Sequence, residues 1–338
     1  MPSRGMERSR KHTVFLFCAV LVGAVLLLSG IYALGRWVEN REYREERQQM
    51  TEGFGQMPTV TYEGKTYARR PEVTTLLIMG VDQDGDEEPT GYRDGGQADF
   101  LLLLAIDHKS GTVSQLQIDR DSITDVPVVG VLGNDAGTRR MQISLSHAYG
   151  ASEADRSRHT VQALANLLDG ETVDIYLSVH LEAIGALNRL LGGLTVTIPA
   201  DYSDLDPAMT EGAVLTLTDE QAVILIRARR TIGDGTNAAR TIRQREFMQA
   251  ALKAVKERFK ADAGFAETLL EALDEVNGFT NVQRSRLVSE ITQALSYDIL
   301  PAETLAGEYT HGADGFTEFY ADEDAIVAWL LKTLYEPK

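Results

Sequence analysis

The run TLLIMGVD at positions 75–82 decides the fold, because it is almost continuously apolar until it ends on a carboxylate. A run of this kind predicts a strand that is buried on both faces, inside a sheet that helices cover. Further along the chain, FLLLLAI at 100–106 is a second such run, and the turn signal HKSG at 108–111 joins it to VSQLQI at 113–118. These segments predict a hairpin in the middle of the sheet.

Outside this centre, helical and strand patterns alternate along the chain. The sequence predicts a hairpin at 59–68 around Glu63-Gly64, and a helix that Thr218 opens in a capping box with Gln221. The other predicted elements are helices at 154–168, 181–191 and 238–260 and strands at 173–179 and 194–198. Two or three later helices follow, the last at 322–335, and over 278–338 we expect helices that pack on the sheet. This alternation predicts an α/β fold, an αβα sandwich with a central mixed β-sheet.

The first 56 residues predict a membrane anchor. Positions 13–35 are 23 consecutive uncharged residues, which as a helix cover about 35 Å, enough for the ~30 Å hydrocarbon layer. A cleaved signal peptide is the alternative, but its apolar region would span only about 7–15 residues. Four basic residues before the span predict a cytoplasmic N-terminus. We therefore expect a cytoplasmic segment at 1–12, a transmembrane helix at 13–35, a stalk at 36–56 and an extracytoplasmic domain at 57–338, placed at the cell membrane.

The predicted domain is strongly acidic. Without the four basic residues and one acidic residue before the span, 29 Lys and Arg remain against 49 Asp and Glu. Such a domain repels nucleic acid, so we expect no nucleic-acid partner. The one cysteine, Cys18, lies in the predicted span. The domain therefore folds without disulfides, and its length is sufficient for one large core.

A cationic segment interrupts this acidity. Positions 227–245 hold six arginines and no lysine, with Asp234 as the one acidic side chain. Guanidinium groups bind phosphate oxygens bidentately, and the start of a helix adds attraction for an anion. The segment predicts an anion site, although solvated helix ends and structural ion pairs are the alternative reading.

Carboxylates stand at predicted strand ends, where a metal could meet that anion. Asp82 ends one buried strand, and Asp99 begins the next. Together they are candidate ligands for Mg²⁺, which takes one or two carboxylates and keeps several waters. Arg120-Asp121 follows a third strand, where an ion pair is the commoner outcome. The G-x-S-x-G, P-loop and H-E-x-x-H signatures are missing from the sequence.

Taken together, these blocks resemble the LytR–CpsA–Psr family of cell-wall glycopolymer transferases. The resemblance covers about residues 72–260. It rests on residues 75–82, Ala98-Asp99, Ile118-Asp119-Arg120-Asp121, 191–196, Gln221-Ala222, Arg227-Ala228-Arg229, Gly233-Asp234 and 240–244.

The resemblance implies a phosphotransferase that moves a glycopolymer from a polyprenyl-pyrophosphate carrier onto peptidoglycan. It implies that Asp82 and Asp99 hold Mg²⁺, and that an apolar groove between sheet and helices takes the prenyl tail. The residues it implies for the pyrophosphate are Arg120, Arg227, Arg229, Arg240, Arg243 and Gln244. Asp99 or Asp121 would orient or deprotonate the acceptor hydroxyl.

Three positions depart from the family pattern. Gln97 stands where the family usually has arginine, with Arg93 as a possible substitute, and Asp119 replaces the usual proline. Five residues, 235–239, separate Asp234 from Arg240 where two are usual. Two rival functions stay open at this point: a non-catalytic module that binds lipid-linked precursors, and a pyrophosphatase with water as acceptor.

Overall fold

The computed structural model describes residues 59–83, 91–227, 237–262, 264–274, 276, 278–313 and 315–338, with side chains in the 237–262 segment from 246 onward. The predicted cytoplasmic segment, transmembrane helix and stalk lie outside the described residues. Within the described ranges, no helix is both long and apolar enough to cross a bilayer.

The chain divides into two compact units, and the smaller comprises residues up to Arg69 with Pro337–Lys338. Its described part contains the predicted hairpin, formed by β1 (Thr59–Tyr62) and β2 (Lys65–Arg69) in antiparallel register. Glu63 and Gly64 join the strands with φ of 50° and 75°. Positive φ at both turn residues suits the twist of a two-residue hairpin.

The larger unit, Arg70–Glu336, contains a six-stranded mixed sheet. Its strands, in spatial order, are β11 (Phe279–Thr280), β8 (Ile175–His180), β3 (Val73–Asp82), β4 (Gln97–Asp107), β5 (Thr112–Ile118) and β12 (Asp298–Thr304). β3 runs parallel to β8, and β5 runs parallel to β12, whereas β4 is antiparallel to both of its neighbours. The predicted central hairpin and mixed sheet are confirmed, and β3, β5 and β8 all end at the edge where β4 begins.

Helices and short hairpins complete the larger unit. The helices are α1 (Glu153–Leu167), α2 (Glu182–Leu191), α3 (Asp219–Arg227), α4 (Asn237–Ala261), α5 (Phe265–Asp274), α6 (Arg284–Ser296) and α7 (Glu323–Thr333), with a 3₁₀ helix, η1, at Ile143–Ala148. The remaining strands are β6 (Ile123–Val129) with β7 (Asp135–Gln142), β9 (Thr195–Thr197) with β10 (Val214–Thr216), β13 (Gly307–His311) with β14 (Thr317–Ala321), and β15 (Tyr335–Pro337), which crosses the unit boundary.

The core lies between the sheet and its helices. On one face, Leu76 and Leu177 of the sheet pack with Leu270 of α5 and Leu287 of α6. A second cluster joins α2, α3 and α4 around buried Phe247. On the other face, α1 reaches the sheet through Glu153, which accepts a hydrogen bond from Ser178 Oγ of β8 at 2.7 Å.

The predicted capping box at the start of α3 is confirmed. Thr218 N donates to Gln221 Oε1 at 3.1 Å, and Gln221 N donates to Thr218 Oγ1 at 3.2 Å. Two backbone donors at the helix start are thereby satisfied. This cap marks the start of α3, whose last residue is Arg227.

The expectation of helices alone over 278–338 is wrong in part. This segment does contain α6 and α7, but it also forms β12, which adds an edge strand to the central sheet, and the β13–β14 hairpin. The strand signal is weak for physical reasons. β12 carries Pro301, which an edge strand tolerates, and all five residues of β13 are exposed. The β6–β7 hairpin also lacked a sequence prediction.

Candidate functional site

The sheet edge where β3 ends and β4 begins carries two carboxylates. Asp82 is the last residue of β3, and Asp99 is the third residue of β4. Gly80 pairs with Phe100 but Val81 pairs with Ala98, so Asp99 is the extra residue of a β-bulge. Bulges redirect a side chain out of the regular alternation. Both aspartates line the same cavity.

Arg120 lies beside this carboxylate pair, two residues after β5. Its guanidinium forms an ion pair with Asp99 through Nη1, and Nη2 donates to Gln97 Oε1 at 2.6 Å. Its Nε lies 3.4 Å from Asp121 Oδ1. The side chains of Arg120, Asp99 and Asp121 are only 13%, 12% and 7% exposed, so the three charges are largely withdrawn from water.

Arg227 brings a second cation to the same edge. It is the last residue of α3, and its Nε lies 3.7 Å from Asp82 Oδ1. Its side chain is half exposed and lines the cavity. Each aspartate therefore has an arginine beside it, and the four residues come from four separate segments of the chain.

A cavity of about 860 Å³ runs from this charged edge between the sheet and the helices. Its walls are mostly aliphatic, from the sheet on one side and α2, α4, α5 and α6 on the other. Lining residues include Leu76, Ile78, Leu102, Leu104, Leu177, Val179, Leu187, Met248, Leu252, Leu269, Leu273, Ile291, Leu295, Ile299 and Leu300. Such a shape suits an elongated apolar ligand with a charged end.

Four residues of the predicted anion site lie wholly or partly outside the described structure. Arg229 is outside it, and for Arg240, Arg243 and Gln244 only the backbone is described. That backbone belongs to the first two turns of α4, which begins at Asn237. Residues 237–239, the last three of the five that separate Asp234 from Arg240, therefore form the first turn of this helix.

The structure describes both Gln97, which departs from the family pattern, and Arg93, its proposed substitute. Gln97 Oε1 accepts a hydrogen bond from Arg120 Nη2 and so helps to hold Arg120 in place. Arg93 lies with its guanidinium carbon 5.9 Å from the centroid of the Tyr149 ring, a cation–π arrangement. Its described partner is therefore this ring, and the cavity lining does not include it.

A cluster of one glutamate and two histidines lies next to the site and was not predicted from the sequence. Glu153 Oε1 lies 3.0 Å from His147 Nε2, and Glu153 Oε2 lies 3.8 Å from His180 Nε2. Burial raises the pKa of Glu153, but hydrogen bonds from His147 and Ser178, with His180 close by, outweigh it and hold that pKa well below its usual range. Glu153 follows the N-cap Ser152, so in sequence it reads as an ordinary first-turn acid.

The described residues offer a divalent cation two carboxylates, those of Asp82 and Asp99, at the charged end of the cavity. The described residues contain no group of three or more His, Cys, Asp and Glu side chains that could hold a metal. Asp82 and Asp99 nevertheless line one cavity from neighbouring strands. Two carboxylates are what Mg²⁺ typically takes from a protein when phosphate oxygens and water complete its shell.

A sequence model of the LytR_cpsA_psr family matches residues 38–329. The chain belongs to this family. One relative in it is the polyisoprenyl-teichoic acid–peptidoglycan teichoic acid transferase TagU of Bacillus cereus strain AH820, which is 23% identical over 324 residues, 93% of this chain and 94% of that protein. The TagU of Bacillus subtilis strain 168 is 26% identical over 250 residues, 74% of this chain and 72% of that protein.

Solved structures of LytR–CpsA–Psr proteins show the same fold. The protein gbs0355 from Streptococcus agalactiae superimposes with a TM-score of 0.61 at 22% identity, over 78% of this chain and 86% of that chain. TagT bound to LI-WTA superimposes with a TM-score of 0.58 at 19% identity, over 78% of this chain and 91% of that chain. At these identities the likeness concerns the fold.

Proposed function

We propose that this protein is a membrane-tethered phosphotransferase that attaches a glycopolymer from a polyprenyl-pyrophosphate carrier to peptidoglycan. One observation carries the proposal: an aliphatic cavity of about 860 Å³ ends at Asp82, Asp99 and Arg227, and Arg120 forms an ion pair with Asp99 behind that end. A polyprenyl pyrophosphate has the same division into a long apolar chain and a compact anion. The TagU relatives, named for transfer of teichoic acid to peptidoglycan, support the reaction class.

The apolar part of the donor would occupy the cavity. Burying hydrocarbon against aliphatic walls contributes about 25 cal/mol per Å² of apolar surface. This attraction does not depend on the glycan, so it would bind any donor that carries a polyprenyl chain. The pyrophosphate would then lie at the strand ends, the usual ligand position in α/β sheets.

The charged residues would bind and polarise the pyrophosphate. Arg227 extends from the end of α3 toward Asp82 and is exposed enough to bind a phosphate oxygen. Arg120 lies behind Asp99 and is held in a fixed orientation by three side chains. A fixed guanidinium stabilises charge that develops in phosphoryl transfer without reorganising at that moment. Arg229, Arg240, Arg243 and Gln244 remain predicted members of this anion site.

Asp82 and Asp99 would hold a Mg²⁺ ion at the same place. When bound, the ion would neutralise phosphate charge that the arginines leave uncompensated.

In the transfer itself, an acceptor sugar hydroxyl of peptidoglycan attacks the phosphorus that carries the glycan. A new oxygen–phosphorus bond forms, the bridging bond of the pyrophosphate breaks, and polyprenyl phosphate leaves with its electron pair. Asp99 is the better placed of the two candidate carboxylates to orient the hydroxyl or take its proton, since it lines the cavity. Asp121 is buried against Arg120 Nε and accepts a hydrogen bond from Gln142, which suits a residue that orients Arg120.

The test is a reconstituted transfer assay. The full-length protein, a polyprenyl-pyrophosphate-linked glycan and peptidoglycan fragments are combined with and without Mg²⁺. Glycan attached to peptidoglycan, with polyprenyl phosphate released, is the expected result, and chelation by EDTA should stop it. Donor binding without turnover would indicate a binding module instead. Release of glycan phosphate without an acceptor would indicate a pyrophosphatase.

A further inference from the structure

The β13–β14 hairpin lies against the turn that carries Arg120. Tyr309 of β13 and Phe319 of β14 are direct partners, so their side chains share one face of the hairpin. Their ring centroids are 4.8 Å apart. Phe319 is buried, whereas Tyr309 is 55% exposed, and its ring packs over Phe319 with its hydroxyl directed at Asp119.

Three polar contacts join this hairpin to residues 119–122, which we name the Arg120 turn. Tyr309 Oη donates to Asp119 Oδ2 at 2.5 Å. Phe319 N donates to Asp121 O at 2.9 Å. Gln142 Nε2 donates to Thr317 O at 2.6 Å and to Asp121 Oδ1 at 3.4 Å, and so bridges the hairpin and the turn.

Asp119 links Tyr309 to the backbone of the Arg120 turn. Its other carboxylate oxygen, Oδ1, accepts a hydrogen bond from Asp121 N at 2.9 Å, and its carbonyl accepts one from Ser122 N at 3.1 Å. On the opposite side, Ser144 N of η1 donates to Arg120 O at 3.1 Å. The turn is thus held between η1 and the hairpin, and Tyr309 Oη is the one side-chain donor that β13 contributes to the contacts described above.

We propose that Tyr309 is a positioning residue for Arg120: through Asp119 it holds the Arg120 turn so that the guanidinium faces Asp99 at the charged end of the cavity. The inference rests on the proposed phosphotransfer, in which Arg120 acts on the pyrophosphate. It assigns a role to the C-terminal hairpin and to the aspartate that precedes Arg120.

The chemistry of the pair supports this role. A hydroxyl that donates to an ionised carboxylate makes a short hydrogen bond about twice as strong as a neutral one. Partial burial and the hydrogen bond to Asp119 raise the pKa of Tyr309, so its hydroxyl keeps its proton at neutral pH. The contact fixes a turn rather than filling a core, because Tyr309 is more than half exposed.

The decisive comparison is Tyr309→Phe against Tyr320→Phe in the full-length protein. Tyr320 lies on the same hairpin, and its hydroxyl donates to Glu318 Oε2 at 2.8 Å, away from the Arg120 turn. Both variants lose one hydroxyl and keep one ring. We expect Tyr309→Phe to lower kcat about 10-fold to 100-fold with donor KM within about twofold, as for a misplaced group away from the chemistry. Tyr320→Phe should match the wild type.

A second readout does not depend on turnover. Backbone hydrogen–deuterium exchange over residues 119–122 should be faster in Tyr309→Phe and unchanged in Tyr320→Phe. Asp119→Ala also removes the acceptor of Asp121 N, so it should lose at least as much as Tyr309→Phe. The double variant should lose little more than Asp119→Ala alone, because contacting residues are not additive.

The outcomes separate the two proposals. If the wild type transfers no glycan, the phosphotransferase proposal fails, and the exchange measurement alone decides the positioning role. Unchanged exchange in Tyr309→Phe overturns the inference, as does a kcat equal to that of Tyr320→Phe. A loss of kcat that merely follows a lower melting temperature also overturns it, since that is the signature of a structural role.

Discussion

Removing the Arg120 guanidinium should destabilise the domain as well as inactivate it. In Arg120→Ala, Asp99 and Asp121 lose their cation while remaining largely buried, with side chains 12% and 7% exposed. Gln97 Oε1 loses its donor at the same time. Removing one partner of a buried ion pair costs about 3–5 kcal/mol, because it leaves an uncompensated buried charge. For a domain of this size, that cost corresponds to a melting temperature lower by roughly 5–9 °C.

The assay is thermal unfolding of the full-length protein in detergent, followed by circular dichroism at pH 7. Arg189→Ala is the matched control, since Arg189 Nε pairs with Asp219 Oδ2 at 2.7 Å but its side chain is 75% exposed. An exposed pair contributes about 0–1 kcal/mol, so this control should melt within about 3 °C of the wild type. Arg120→Lys should fall between the two, because an ammonium keeps the charge but cannot bond three partners in the guanidinium geometry.

The reasoning would be refuted by an Arg120→Ala protein that melts as the Arg189→Ala control does. That result would mean that water or a rearranged neighbour compensates Asp99 and Asp121 at little cost. If the expected result is found, a loss of activity in Arg120→Ala can be interpreted only together with its melting temperature, because the variant is also less stable. Arg120→Lys tests the role of the guanidinium with a smaller loss of stability.

Three further predictions concern stability and donor binding. The pKa of Glu153 is held below its usual value of 4.5, so its contribution to stability is complete above that pH and declines as the pH falls. Glu153→Gln should therefore melt at a lower temperature than the wild type at pH 7. In melting curves measured across pH, the difference between the two melting temperatures should narrow below pH 4.5. Thr218→Ala removes the side-chain acceptor of the α3 cap and should lower stability by about 1 kcal/mol in urea unfolding; an unchanged midpoint would contradict the cap's role. Leu104→Trp narrows the cavity and should raise the donor KM severalfold for a glycan linked to a long polyprenyl pyrophosphate, but much less for the same glycan linked to geranyl pyrophosphate. Equal effects on both donors would argue against a prenyl site there.

Local sequence patterns predict much of the fold. The apolar runs of β3 and β4 have no amphipathic alternative, so only a doubly covered sheet can bury them. The cap formed by Thr218 and Gln221 is a contact three residues apart, which a sequence displays directly. By contrast, β13 has no buried residue, and its strand conformation depends on a partner that the local sequence does not reveal.

For the candidate site, the sequence by itself determined the residue types and their order along the chain: two aspartates at predicted strand ends, an Arg-Asp pair and an arginine-rich segment. It also determined the family, because the family model matches residues 38–329 of the sequence. Only the tertiary structure decided that Asp99 lies at a bulge beside Arg120, that Asp82 faces Arg227, and that both aspartates border one aliphatic cavity. The physical reason is distance along the chain. These contacts join residues far apart in sequence, and sheet register and helix packing, not local propensity, bring them together.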